Sequence, residues 1–125
     1  LKIEGIVKAI GIKHVKVVKP NNLQEVDDAL DECLALDEPS VIITRWPCVL
    51  KKFSEADKSE FDNLFKTKNR VDEEKCVGCK ACLKAGCPAM SYDKAAKKVR
   101  INQASCVGCD VCTQVCPKDA IEKVN

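Results

Sequence analysis

The stretch CVGCKACLKAGCP fills residues 76–88, and a second stretch, CVGCDVCTQVCP, fills residues 106–117. Each stretch has three cysteines at steps of three and a fourth cysteine directly before a proline. Together the two stretches hold eight of the chain's ten cysteines. Three thiolates at steps of three can wrap one cubic iron–sulfur core and leave its fourth iron open to a further ligand. The spacing therefore predicts two iron–sulfur clusters.

The second run has the spacing CxxCxxCxxxCP, which resembles the run of bacterial two-cluster ferredoxins. In those proteins the fourth cysteine of each run ligates the cluster of the other run. The predicted ligands of the first 4Fe–4S cluster are therefore Cys76, Cys79, Cys82 and Cys116. The predicted ligands of the second 4Fe–4S cluster are Cys106, Cys109, Cys112 and Cys87.

The first run departs from this spacing by one residue. Four residues, 83–86, separate its third and fourth cysteines, where the second run has three. The extra position falls at Gly86, and glycine changes the backbone direction at the lowest cost, so we expect Cys87 to reach its cluster. Gly78 and Gly108 precede the second cysteine of each run. We expect them to relieve the backbone and to let each loop approach its cluster closely.

Three other interpretations of the cysteines are weaker. A disulfide framework of eight cysteines permits 105 pairings, and nothing in disulfide chemistry favours steps of three. Zinc sites pair two CxxC units around one ion and leave no use for a third cysteine at the next step. A single cluster beside a degenerate second run is disfavoured because all eight ligands are present.

Both runs belong to a longer internal repeat, in which 76–82 maps onto 106–112 at an offset of 30. Strand and short-helix patterns recur around each run, with strands expected at 70–71, 90–92, 99–101 and 120–124 and helices at 80–84 and 110–115. This order predicts an α+β chain whose residues 69–125 form a (βαβ)2 ferredoxin-type domain. Below about 70 residues metals or disulfides usually supply the missing stability, so we expect the clusters to hold this domain together.

Residues 1–50 lack a cluster motif and alternate helix and strand patterns. The expected elements are a helix before Gly11, a strand at 15–18, a helix capped by Asn21 or Asn22, and a strand at 41–43. The continuous apolar run of the last strand is typical of burial on both faces of a parallel sheet. Because two parallel strands need neighbours, this segment is predicted to be an incomplete α/β (βαβ) fragment, and Leu1 in place of methionine points the same way. Residues 51–68 are predicted to be a polar linker, with a helix from Glu55 to Phe65.

Two further stretches resemble one family. RWPCVL at 45–50 follows the strand PSVII at 39–43, and GCPA stands at 86–89. These stretches resemble the C-terminal end of the alpha subunit of indolepyruvate ferredoxin oxidoreductase, and the resemblance covers essentially the whole chain. It implies that residues 1–50 are the last part of a thiamine-diphosphate-type domain.

In that family the whole enzyme uses thiamine diphosphate and magnesium to decarboxylate an aryl pyruvate oxidatively, and it passes the electrons through its clusters to an external ferredoxin. The family's thiamine-diphosphate motif, GDG followed by an asparagine, is absent from this sequence. The resemblance therefore implies an electron outlet with no catalytic residues of its own. Its implied partners are the thiamine-diphosphate domain, a beta subunit and an external ferredoxin.

Two other functions stay open at this point. One is an electron-transfer module of another 2-oxoacid oxidoreductase or of a hydrogenase-type complex. The other is a structural metal-binding domain without a redox role.

The charge balance bears on the class of partner. With 21 Lys plus Arg against 19 Asp plus Glu, the net charge of +2 gives no polybasic signature of nucleic-acid binding. The absence of a signal peptide or long apolar run predicts no membrane association, and dense free thiolates suit a reducing cytoplasm. Four basic residues between the repeats are expected to form a solvated turn rather than a docking patch for an acidic ferredoxin: Lys94, Lys97, Lys98 and Arg100.

The other two cysteines and the single histidine are expected to have no role at the clusters. Cys33 lies among apolar helix positions and is expected to be a small buried side chain. For Cys48, packing is favoured over a functional thiol, because neither a histidine nor a strong positive cluster adjoins it. His14 is expected at the surface, between a helix and a strand.

Overall fold

A computed structural model describes residues 2–48, 51–61 and 67–124 of the chain. It divides into two compact units, Leu1–Cys48 and Val49–Asn125. The first unit contains α1 (Ile3–Ala9), β1 (His14–Val18), α2 (Leu23–Leu34) and β2 (Ser40–Thr44). These are the four elements that the sequence patterns predict for this segment.

The crossover through α2 makes β1 and β2 a parallel pair, with Val17 opposite Ile43. Asn22 begins α2, because its side-chain oxygen accepts a hydrogen bond from the backbone N–H of Glu25 at 3.3 Å. Of the two candidate caps, Asn22 is therefore the one used.

The first unit leaves much of its apolar surface uncovered. The sequence of β2 is typical of burial on both faces, but in this strand only Ile43 is buried, and Val41 and Ile42 are half-buried. Side chains of the helical segments are exposed as well, including Ile10 at 71% and Leu34 at 79%. This agrees with the expectation that two parallel strands need neighbours to cover their sheet on both sides.

The second unit starts with α3 (Glu55–Glu60), which a capping box initiates. The backbone N–H of Asp57 donates to Ser54 Oγ at 3.2 Å, and the backbone N–H of Ser54 donates to Asp57 Oδ2 at 2.8 Å. Hydrogen bonds from Lys51 and Ser54 lower the pKa of Asp57 to about 2. The helix ends at Glu60, so it is shorter than expected from the sequence, and residues 62–65 of the predicted helix lie outside the described residues.

After α3, the described residues of the second unit form six short elements. They are β3 (Asn69–Val71), a 3-10 helix (Ala81–Ala85), β4 (Met90–Asp93), β5 (Lys98–Ile101), α4 (Val111–Gln114) and β6 (Ile121–Lys123). β3 pairs antiparallel with β6, and β4 pairs antiparallel with β5. Both helices begin one residue later than predicted, because Lys80 and Asp110 have φ angles of 63° and 61°, in the left-handed region that interrupts a right-handed helix.

The internal repeat extends to the hydrogen bonds of equivalent residues. The side chains of Asp72 and Asn102 each accept the backbone N–H two residues ahead, at 2.9 and 2.8 Å. Their own backbone N–H groups donate to the carbonyl oxygens of Ala120 and Ala89, both at 2.8 Å. The second unit also has a small hydrophobic core. Its buried members are Cys76, Cys82, Val99, Cys112, Ala120 and Ile121.

Gly78 and Gly108 have φ angles of 68° and 72°, as expected for residues that need glycine's freedom. Both glycines also permit a close approach to other parts of the backbone. A Cβ on Gly78 would lie 2.2 Å from the carbonyl oxygen of Lys97. A Cβ on Gly108 would lie 2.0 Å from the carbonyl oxygen of Thr67. Each loop is therefore packed against the segment that precedes a strand of the other repeat.

Gly108→Ala is expected to destabilise the second unit more than Gly86→Ala does. Gly86 also has a positive φ, but a Cβ there would meet no atom within 4 Å, so the cost is the left-handed conformation alone, about 1–2 kcal/mol. At Gly108 the Thr67 carbonyl must also move. Thermal unfolding of the iron-loaded variants measures the difference, and equal losses would contradict the packing role of Gly108.

Candidate metal-cluster site

The first predicted ligand set lies around one cavity of the second unit. Cys76, Cys79 and Cys82 line a cavity together with Cys116, which comes from the other run. Most of the remaining wall is apolar, from side chains such as Val71, Val99 and Ile121. Cys76 and Cys82 are buried, whereas Cys79 is exposed, so this cavity opens at the Cys79 side.

The second predicted set lies around another cavity. Cys106, Cys109 and Cys112 line it together with Cys87 from the first run. Cys112 is buried, and the other three cysteines are half-buried. The structure thus brings together each group of four cysteines that the sequence assigns to one cluster, including the exchange of the fourth cysteine between the runs.

The extra residue of the first run lies at the end of the 3-10 helix. Gly86 has a φ of 67° and caps this helix, and its backbone N–H donates to the Leu83 carbonyl at 3.0 Å. The left-handed turn takes up the inserted residue, as expected from glycine's low conformational cost. Cys87 then stands at the wall of the second cavity with Cys106, Cys109 and Cys112.

Burial controls the acidity of the innermost thiols. Burial raises the pKa of Cys112 to about 11, and the negative charge of Cys109 raises it further, against a hydrogen bond from Asn69. Burial also raises the pKa of Cys82, with the charge of Cys116 as the next cause. These thiols keep their protons at neutral pH when no metal is bound. A metal ligand must be a thiolate, so binding at either site has to displace protons.

Sequence reasoning missed one residue at the second cavity. Asn69, in β3, donates its backbone N–H to Cys106 Sγ at 3.4 Å and its side-chain N–H to Cys112 Sγ at 3.7 Å. At the first cavity, the backbone N–H of Ala120 donates to Cys116 Sγ at 3.4 Å. The internal repeat could have pointed to Asn69, because at the equivalent position of the second repeat, 30 residues later, the residue is the apolar Val99.

The residues at both cavities fit an iron–sulfur cluster by their chemistry. Each donor set consists of four thiols, the ligand type that iron–sulfur clusters use, and the walls between them are largely apolar. In the part of the chain that the structure describes, no three His, Cys, Asp or Glu side chains converge on the position of a single metal ion. The four cysteines of each set instead line a cavity.

The exposure of the other two cysteines and of the histidine agrees with the sequence predictions, with one correction. Cys33 is buried in α2, as predicted, and His14 lies partly exposed with its Nε2 3.2 Å from Glu38 Oε2. Cys48 is exposed, so the prediction that it packs is wrong. The reason is that Cys48 lies beyond the end of β2, where no sheet neighbour covers it.

Two of the four basic residues between the repeats are engaged within the unit. Lys98 Nζ donates to the carbonyl oxygen of Cys76, and Arg100 Nε lies 3.1 Å from Asp93 Oδ2. Lys94 and Lys97 are exposed in the turn between β4 and β5. This arrangement agrees with a solvated turn that also supports the first cysteine run.

An internal repeat with two cavities, each lined by four cysteines as its candidate ligands, defines a domain of the two-cluster iron–sulfur class. Residues 67–123 belong to the family of 4Fe-4S dicluster domains. Over 98% of its length, the chain is 37% identical to the indolepyruvate oxidoreductase subunit IorA of Pyrococcus abyssi and to that of Pyrococcus horikoshii. The corresponding subunit of Thermococcus kodakarensis is 35% identical over the same share. Over nearly its whole length the chain is therefore similar to a part of IorA, which confirms the resemblance noted in its sequence.

The chain spans 18% of the length of the curated relatives it matches. Among the described residues, no helix has both the length and the apolar character needed to cross a bilayer.

Proposed function

We propose that this chain is the electron outlet of an indolepyruvate oxidoreductase, and that it transfers electrons through two 4Fe–4S clusters. The observation that carries the proposal is the grouping of the eight cysteines into two sets of four around two cavities. The dicluster family of residues 67–123 supports the same cofactors.

In this proposal the ligands follow the two cavities. Cys76, Cys79, Cys82 and Cys116 hold the first cluster, and Cys106, Cys109, Cys112 and Cys87 hold the second. The antiparallel pairs β3–β6 and β4–β5, each joining one strand from either half, support a (βαβ)2 arrangement with pseudo-twofold symmetry.

Each cluster supplies one-electron chemistry, in which its core accepts and releases a single electron without forming a bond to a substrate. The protein's thiolates anchor the two cores. The apolar walls limit the access of water, and N–H groups at the sulfurs stabilise negative charge. These contributions set the reduction potential and the path of the electron, whereas the bond chemistry takes place elsewhere.

The source of the electrons is proposed from the relatives, whose name identifies indolepyruvate as their substrate. In the complete enzyme, a thiamine-diphosphate domain with its magnesium and a beta subunit carry out the oxidative decarboxylation of an aryl pyruvate. Residues 1–50 form the end of that thiamine-diphosphate-type domain. The exposed Ile10 and Leu34 support this assignment, because isolated parallel strand pairs leave apolar surface for neighbouring chain to cover. The acceptor is an external ferredoxin, and the complex works in a reducing cytoplasm.

Iron and acid-labile sulfide analysis tests the cofactor content of the chain. Two 4Fe–4S clusters require eight irons and eight sulfides for each chain. Electron paramagnetic resonance of the dithionite-reduced protein should show signals of reduced 4Fe–4S clusters. Four irons would mean that one cavity does not assemble a cluster, and a colourless protein without sulfide would favour a structural metal domain.

Removal of iron is expected to unfold the cluster domain. Folding and cluster binding are linked because the sites do not exist in the unfolded chain, and three of the six buried core residues are cysteines of the two sites. Chelation should therefore abolish the hydrogen-exchange protection of residues 67–124. The first unit provides an internal reference within the same sample. Unchanged protection of 67–124 after complete iron loss would contradict this linkage.

Paired substitutions test the exchange of the fourth cysteine. Cys79→Ala with Cys116→Ala removes two ligands from one cavity, whereas Cys79→Ala with Cys87→Ala removes one ligand from each cavity. The first double variant should retain about four irons, and the second should retain fewer, since both of its sites have three ligands. The two variants carry the same number and type of substitutions, so each serves as the control for the other. The opposite order of iron contents would show that each run keeps its own fourth cysteine.

A further inference from the structure

The two cavities differ at one equivalent position of the internal repeat. Asn69 in β3 and Val99 in β5 are related by the offset of 30, and each precedes an arginine. Asn69 lines the second cavity and Val99 lines the first. Both side chains are almost completely buried, with exposures of 1% and 2%. The fold thus requires a buried side chain of this size at both places, and at Val99 an apolar one is sufficient.

The side-chain amide of Asn69 supplies a donor that a valine lacks. Its Nδ2 donates to Cys112 Sγ at 3.7 Å and to Asp110 Oδ1 at 3.1 Å. The backbone N–H of Asn69, a group that valine also has, donates to Cys106 Sγ at 3.4 Å, and its backbone carbonyl oxygen accepts from Gln103 Nε2 at 2.6 Å. Two of the four sulfurs at the second cavity therefore receive a hydrogen bond from a single residue.

The acceptor end of the same amide is not used. Asn69 Oδ1 is buried and has no hydrogen-bond partner among the described residues. Burial of an unpaired amide oxygen is unfavourable, and packing alone does not call for an amide, as Val99 demonstrates. The donor end is what Asn69 adds to the second cavity.

We propose that Asn69 is a tuning residue, which raises the reduction potential of the cluster held by Cys87, Cys106, Cys109 and Cys112. The step is the gain of one electron by that cluster from the electron source of the proposed function, and no bond forms or breaks. Reduction makes the cluster more negative, so an N–H group directed at a ligand sulfur stabilises the reduced state more than the oxidised state. Val99 gives the other cluster no such donor. This inference rests on the proposed function, because it requires both clusters.

The neighbouring charges do not cancel this effect. The carboxylate of Asp110 accepts from the same amide and would lower the potential, but Lys123 Nζ pairs with it at 2.9 Å. The carboxylate and the ammonium group largely compensate each other, so the hydrogen bonds to sulfur remain as the difference between the equivalent positions.

An anaerobic redox titration of the full iron-loaded chain, followed by electron paramagnetic resonance, tests the proposal. Asn69→Val copies the residue of the other repeat and removes the side-chain donor. One of the two couples should fall by an amount equivalent to about tenfold in its reduction equilibrium, which is about 59 mV for one electron. The other couple should stay in place. If both couples keep their wild-type potentials, or if one rises, the proposal is wrong.

Val99→Asn is the reciprocal variant. It places an amide beside Cys76 and Cys82, the equivalents of Cys106 and Cys112, and it should raise the couple that Asn69→Val leaves unchanged. Movement of the same couple in both variants would overturn the assignment of Asn69 to one cluster.

An alternative explanation is that the hydrogen bond between Asn69 and Asp110 sets the potential through the local structure, and a variant of Asp110 distinguishes the two. Asp110→Gly removes this contact while tolerating the positive φ at that position, and it also removes a negative charge. Its couple should therefore not fall. A fall as large as that of Asn69→Val would mean that the contact, rather than the hydrogen bond to sulfur, sets the potential.

The iron content separates this inference from the proposed function. Wild-type protein with fewer than eight irons would defeat the proposed function, whereas eight irons with unmoved couples would defeat only the role of Asn69. If Asn69→Val fails to load with iron, Asn69→Ala removes the same donor without added bulk and carries the same expected fall.

Discussion

The second unit depends on the exchange of one cysteine between its two halves. Each cavity has three cysteines from one run, and its fourth comes from the other run. Along the chain, β4, β5 and the other cysteines of the second run separate Cys116 from the three cysteines with which it lines the first cavity. Cys87 belongs to the first run but lines the second cavity. Neither cavity is complete unless both halves are folded. The cysteines are also part of the buried core, so the groups that could hold a cofactor and the groups that stabilise the domain are in part the same.

Backbone packing holds the two halves in the register that this exchange requires. The Lys97 carbonyl lies over Gly78, and the Thr67 carbonyl lies over Gly108, at contacts that only a residue without Cβ permits. Thr67 and Lys97 are equivalent in the repeat. The same contact therefore occurs twice, and each time the glycine of one half lies against a carbonyl of the other half. A domain with such short strands has few ladder hydrogen bonds, and these steric contacts restrict the loop positions that strand pairing leaves free.

Local chemistry explains which parts of this structure the sequence predicts. The strands, the order of the helices, the cap at Asn22 and the glycine turn at Gly86 depend on neighbouring residues, and the structure agrees with all of them. The errors concern features that residue patterns do not encode. The positive φ of Lys80 and Asp110 delays the start of both helices by one residue, and Cys48 is exposed beyond the end of β2. The grouping of cysteines at the cavities was predictable because the spacing carries it, whereas the hydrogen bond of Asn69 to a sulfur 43 residues away was not.

Because the two cavities are built by equivalent residues, the few positions at which they differ decide whether the two sites have different reduction potentials. A relay of two identical sites would have no internal preference for where an electron resides, because both would have the same reduction potential. Here Cys79 is exposed and its equivalent Cys109 is half-buried, so the cavities differ in their contact with water. Asn69 and Val99 differ in hydrogen bonding to sulfur, with both side chains equally buried. Solvent exposure and hydrogen bonds at sulfur are among the properties that set the potential of an iron–sulfur cluster. The repeat therefore supplies two equivalent frames, and a few substituted positions are sufficient to make the sites they hold unequal.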